Sequence, residues 1–311
     1  MPSILLHQAA MLANISGDLM NYWMAGERSR SEWRRRWLWC LALLLLTVAG
    51  CSLTTTYRYA DRIILWQLDH YFDLNSDQRR DLNQRLTPLL TRHRDEALPE
   101  YESFLREIRQ RIERGLTGSD VDWAYATYDR LRADLFERVV GDGGVFLASV
   151  DASQVRRFET VLQKDNAKAE RLVQNPPSER LNKRAQATLD WLKDWLGPLT
   201  QEQRKQIHQW SLTLPDTQQV WVTYQQQRQQ ELLTLLHQPR TPERAAQELR
   251  AIFNSPEQTA SASYQDGLRQ MRDAAKIMAL AIDQHVTPVQ RRHAVAKLQR
   301  LIDQVHDLQA G

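Results

Sequence analysis

The groups in this chain that could do chemistry are its histidines, carboxylates, serines and two cysteines, so their spacing comes first. Zinc needs clustered His, Cys or carboxylate ligands, for example two histidines on one helical face with a glutamate between them. His70, His93, His208, His237, His285, His293 and His306 form no such pattern. The i,i+3 pairs His70/Asp73 and Asp303/His306 could hold a metal only with ligands from elsewhere, and read as surface or capping contacts. Serine-based acyl transfer would need a G-x-S-x-G elbow, which is absent. Gly141-Asp142-Gly143-Gly144 lacks the Lys-Ser/Thr of a phosphate-binding loop and reads as a flexible turn between helices. A carboxylate with a raised pKa could cleave a glycan as general acid. Glu100, Glu102 and Glu107, around Tyr101, instead read as charges balancing arginines on a helix face. The chain is therefore read as non-enzymatic, with no catalytic residue, metal or cofactor assigned.

The cysteines have a different meaning. Arg34, Arg35 and Arg36 form a basic segment, Trp37 to Thr47 an apolar one, and Val48, Ala49, Gly50 and Cys51 a small-residue site ending in cysteine. The apolar run falls short of the roughly 20 residues that span a bilayer. It resembles a bacterial lipoprotein signal with its lipobox. The resemblance implies cleavage between Gly50 and Cys51, and acyl chains on Cys51 that hold the protein in the membrane. Ser52, where an aspartate would imply retention in the inner membrane, points to the periplasmic face of the outer membrane. Residues 1–50 are thus the signal, and 1–19 or 1–23 precede an alternative start at Met20 or Met24.

Removing residues 1–50 from the 311 leaves 261, enough for one large domain or two small ones. The formal charge falls from +3 to +1, because five arginines leave with only Asp18, Glu27 and Glu32. So balanced a chain has no net field for steering onto nucleic acid. With Cys40 in the signal and Cys51 lipidated, no thiol remains for a disulfide, a metal site or a nucleophile.

Elements that would position any site are helical throughout. Apolar residues recur at helical spacing at Ile64, Leu68, Tyr71 and Phe72, and again from Tyr101 to Ile112 before Gly115. The same pattern runs from Leu181 to Leu196, followed by Gly197 and Pro198, and from Val295 to Val305. No segment alternates as a strand would. The fold class is all-α, a multi-helix bundle. It follows a lipidated tether at 51–56 and occupies 57–311. Trp191 and Trp195, four apart, read as core; the Gln-rich stretch Gln218 to Gln230 reads as an amphipathic helix.

Four helix starts share one formula. An oxygen-bearing side chain stands three residues before a glutamine: Asn75 and Gln78, Asp151 and Gln154, Thr200 and Gln203, Thr287 and Gln290. This is capping-box spacing. Offsetting by 125 aligns Leu74, Gln78 and Arg79 with Leu199, Gln203 and Arg204, and offsetting by 136 aligns Val150, Gln154 and Leu162 with Val286, Gln290 and Leu298. Leu98-Pro99-Glu100 has a counterpart in Leu214-Pro215-Asp216, and Thr117 in Thr241. The order suggests two tandem four-helix units, 57–174 and 199–308, joined by a bridging helix 178–196. Independent recurrence of capping chemistry is the alternative.

The same starts resemble the LTxxQ motif of the Spy/CpxP family of small helical periplasmic proteins, chaperones and stress regulators. LTQEQR at Leu199 to Arg204 matches fully; Asn75 replaces the threonine in the first copy, and the other two begin with valine. More broadly, the stretches beginning at Tyr57, Phe146 and Asp190 resemble a family of proteobacterial lipoproteins of unknown function. Three readings stay open. The first is an anchored protein binding an envelope partner or unfolded clients, with the capping motifs as a candidate binding feature. The others are an anchored glycan-cleaving enzyme and a structural subunit of an envelope complex.

Overall fold

A computed structural model describes residues 53–253 and 260–310, so Gly50 and Cys51 lie outside the described residues. All regular structure within them is helical. The helices are α1 (Leu53–Arg58), α2 (Ala60–Phe72), α3 (Ser76–Arg92), α4 (Leu98–Arg114), α5 (Gly118–Ser149) and α6 (Ala152–Gln174). They continue with α7 (Pro177–Leu196), α8 (Gln201–Thr213), α9 (Gln218–Leu236), α10 (Pro242–Phe253), α11 (Ala262–His285) and α12 (Pro288–Ala310). No described helix is long and apolar enough to cross a membrane.

Leu53 to Thr56, in the segment that follows Cys51, belong to α1, and Leu53 and Tyr57 pack against the apolar cluster of Leu98, Tyr101 and Phe104. One expectation needs correction. The glycine-rich loop is not a loop. Residues 141–144 lie inside the 32-residue α5, and Gly144 is where α10 crosses it. A Cβ there would sit 2.5 Å from the Pro242 carbonyl and 2.8 Å from the Ala246 Cβ, so the small residue serves packing rather than flexibility. At Leu98-Pro99-Glu100, α3 continues without a break. It passes through a π-helical turn, His93–Ala97, into α4 as one helical rod, whereas the chain does break at Leu214-Pro215-Asp216.

Leu74 and Leu199, whose spacing marked two helix starts, anchor two of three apolar cores. One gathers Phe72, Phe146 and Phe158, with the Phe72 and Phe158 rings stacked at 4.8 Å. Leu235, Leu236, Ala245, Ala246 and Leu249 complete it from the other half of the chain. A second joins Leu98, Tyr101, Phe104 and Leu131 to Val305 and Leu308 of α12. The third places Leu192, Leu196, Leu199 and Ile207 around Ala294. The two sequence halves therefore share cores: α4 packs on α12, α6 on α9, and α5 on α10. Gly197 closes α7 at φ +80°, a left-handed conformation that glycine adopts without strain.

Candidate functional site

The capping residues are brought together in pairs. Asn75 Oδ1 accepts from the Asp77 and Gln78 amides at 3.0 and 2.9 Å, while Gln78 Oε1 accepts from the Asn75 amide at 3.2 Å. Asp151 and Gln154 repeat this box at the start of α6, Thr200 and Gln203 at α8, Thr287 and Gln290 at α12. Each glutamine then uses its free amide hydrogens on another box. Gln78 Nε2 donates to Gln154 Oε1 at 2.9 Å, and Gln154 Nε2 donates back to Gln78 Oε1 at 2.7 Å. Gln203 and Gln290 form the same reciprocal pair at 2.9 Å in both directions.

The surroundings match as well. Gln78 donates to the Ser149 carbonyl and Gln203 to the His285 carbonyl, at 3.0 and 2.8 Å. Gln154 donates to the carbonyl of Asp73 and Gln290 to that of Pro198, at 3.3 and 2.8 Å. Those partners are separated by the offsets read in the sequence, 136 for Ser149 and His285 and 125 for Asp73 and Pro198. The cores follow suit: Leu74, Leu82, Phe146, Val150 and Phe158 in one cluster correspond by the same offsets to Leu199, Ile207, Ile282, Val286 and Ala294 in or against another.

Leu74 and Leu199 are buried beneath these junctions, and all four glutamines are buried too. Arg79 reaches back from α3 to the Leu74 carbonyl at 3.2 Å and pairs with Asp69; Arg204 is exposed. The capping residues and their glutamines are thus consumed in helix starts and helix docking.

The candidate acid residues are also engaged. Glu100 receives Arg130 and Arg138, and Glu107 receives Arg111. Burial raises the Glu102 carboxyl, but hydrogen bonds from Arg106, Gln309 and His306 outweigh it and hold the group below its ordinary range. Asp120, nearly buried at the start of α5, is held far lower by hydrogen bonds from Arg114 and Thr117. These shifts favour ionised carboxylates, the opposite of what a general acid needs. Among the described residues no group of three or more His, Cys, Asp or Glu is placed to hold a metal.

Sequence reasoning missed a cavity of about 250 Å³ where α1 and α2 meet the rod of α3 and α4 and the middle of α5. Its walls are apolar, from Leu53, Ala60, Ile64, Leu90, Leu135 and Val139. The His93 ring in the π-turn lines it, hydrogen-bonded through Nδ1 to the Tyr57 hydroxyl at 2.9 Å and set edge-on to Tyr101. Burial, reinforced by the positive charge of Arg138, lowers His93 to about 4, so its imidazole is neutral at pH 7. Burial pushes Tyr101 up to about 12. The only local signal was aromatic residues flanking a lone histidine, a pattern that ordinary cores share.

No curated protein and no solved structure matches the chain. A family model described as "Family of unknown function (DUF6279)" matches residues 70–265, from the end of α2 into the first turn of α11. With nearly two thirds of its length covered, this chain belongs to that family of unknown function.

Proposed function

We propose that this protein is a non-enzymatic lipoprotein, held by acyl chains on Cys51 at the periplasmic face of the outer membrane, whose helical body binds unfolded or assembling envelope proteins. The lipobox-like sequence and the likeness to proteobacterial lipoproteins support the anchor. The LTxxQ-like starts support the chaperone-like reading only as kinship, since their glutamines are used internally.

The observation that carries the binding reading is α11. None of its 24 residues is fully buried, although Leu268, Met271, Met278 and Ile282 give it an apolar side. Ile277 is 69% exposed. Ile282 packs against the core around Leu199 and Ile207, and polar pairs also fasten the helix: Arg272 is bidentate to Asp129 at 2.9 Å, and Lys276 reaches Asp122 at 2.6 Å. A half-covered helix carrying flexible methionines is the kind of surface that adapts to varied apolar partners.

The test uses the full chain in its native membrane, with a photoreactive amino acid at position 277 or, as control, at exposed Glu248 on α10. Crosslinks to newly exported proteins from 277 and not from 248 are expected. Equal or absent crosslinks from 277, together with failure of the purified protein to suppress aggregation of a denatured client, would remove the reading. The anchor is checked separately by the mass of the N-terminal peptide, which should carry acyl chains on Cys51.

A further inference from the structure

We propose that the cavity between α1, α2, the π-turn and α5 is a binding site for a single medium-chain monocarboxylate, a free fatty acid. The walls supply the first argument. A cavity of roughly 150 Å³ lined by apolar side chains stays dry and admits benzene; about 250 Å³ extends that, on the same measure, to a chain of about ten carbons. An apolar space of this size is filled more favourably by hydrocarbon than by water.

The polar groups supply the second argument. Thr56 lines the cavity at 4% exposure, and its hydroxyl is buried with no hydrogen-bond partner. A buried unpaired hydroxyl is costly, and rotation about the Thr56 Cα–Cβ bond toward the cavity would give it a ligand oxygen as partner. Tyr57 and His93 Nδ1 hydrogen-bond to each other, and Tyr57 also donates toward the Leu90 carbonyl at 3.2 Å. At the rim stands Arg92, 61% exposed and only 4.0 Å from its nearest carboxylate, Asp142. Arg138 is committed to Glu96 and Glu100. One loosely held cation at the mouth of an apolar slot fits an amphiphile with one negative head. Arg138 and Glu96, which also line the cavity, pair with each other, and the neutral imidazole of His93 adds no further charge.

The site does not depend on the partner-binding reading above, and its test is independent of α11. The full chain in membranes is irradiated with a ten-carbon fatty acid carrying a diazirine and an alkyne, and labelled peptides are mapped by mass spectrometry. Labels should fall on peptides containing Leu53 to Ile64, Leu89 to His93 and Leu135 to Val139. Unlabelled acids should compete about fourfold better per added methylene from six to ten carbons, then level off. Methyl esters should compete at least tenfold worse.

Ala60→Trp should fill the slot and abolish labelling. Thr56→Val and Arg92→Ala, which leave the fold's packing almost unchanged, should each weaken labelling about tenfold. Thr56→Val should also raise the thermal midpoint of the unliganded protein. Labels scattered over the surface, esters competing as well as acids, or labelling indifferent to all three substitutions would overturn the site. So would labelling that occurs only in Cys51→Ser, which would make the protein's own acyl chain the occupant.

Discussion

At the residue scale, the four glutamines are the groups on which most of the architecture converges. Gln78 caps its own helix, receives from Gln154 and donates to Gln154 and Ser149, so its side chain is fully satisfied while buried. Gln78→Leu would leave the Gln154 amide buried without its partner and remove half a capping box; about 3 kcal/mol of stability should be lost. Adding Gln154→Leu should cost much less than it does alone, giving a coupling of 1 kcal/mol or more in urea unfolding. Additive losses would show that the reciprocal pair is not a unit. His93 makes a prediction of another kind. Its folded pKa, about 4, lies below its ordinary 6.5, so the unfolded chain takes up the proton first as pH falls. Stability is therefore full above pH 6.5 and declines toward pH 4, by up to about 3 kcal/mol from this residue. Urea midpoints across that range should slope in the native protein and flatten in His93→Gln.

At the scale of elements, the long α5 shows how a local reading misleads. Asp142, flanked by glycines, reads as a turn because glycine disfavours helix by about 1 kcal/mol per residue. Tertiary packing overrides that cost: Gly144 lets α10 approach, and Leu249 of α10 lies 3.4 Å from where a Cβ on Gly143 would be. Gly141, by contrast, has nothing within 4 Å. Gly144→Ala should lower stability by about 2 kcal/mol through overpacking, while Gly141→Ala should raise it by about 0.5–1 kcal/mol. Thermal melts of the two variants should move in opposite directions. Arginines complete other ends: buried Arg184 donates to the Ser211, Leu214 and Pro215 carbonyls at and just past the end of α8, and half-buried Arg240 to those of Leu147 and Val150 at and just past the end of α5. Their roles are invisible in sequence because the carbonyls they satisfy are up to 93 residues away.

At the scale of the whole molecule, contacts recur in equivalent sets. α2 packs on α3 and α6 as α7 packs on α8 and α12; α4 meets α12 as α9 meets α6. We propose that the domain is two copies of one unit, each including its leading helix, so that α7 is the counterpart of α2 rather than a bridge. The copies are interleaved, since each core borrows side chains from the other half. The intact protein should then unfold in one cooperative transition. Chains 53–175 and 176–311, made separately, should show none alone and recover helicity on mixing, as read by circular dichroism. A half that melts cooperatively by itself would argue for independent units.

The sequence by itself determined that the protein is helical and where helices start, because apolar periodicity and capping chemistry act within a few residues. Asn75, Asp151, Thr200 and Thr287 were legible for that reason. It also carried the two offsets, 125 and 136, as a linear pattern. Only the tertiary structure decided that the four boxes dock as two glutamine pairs, that the halves interleave, and that α1, the π-turn and α5 enclose a cavity beside Thr56 and His93. Those outcomes depend on which surfaces meet after the chain has closed loops of 70 residues and more, and local spacing does not encode that choice.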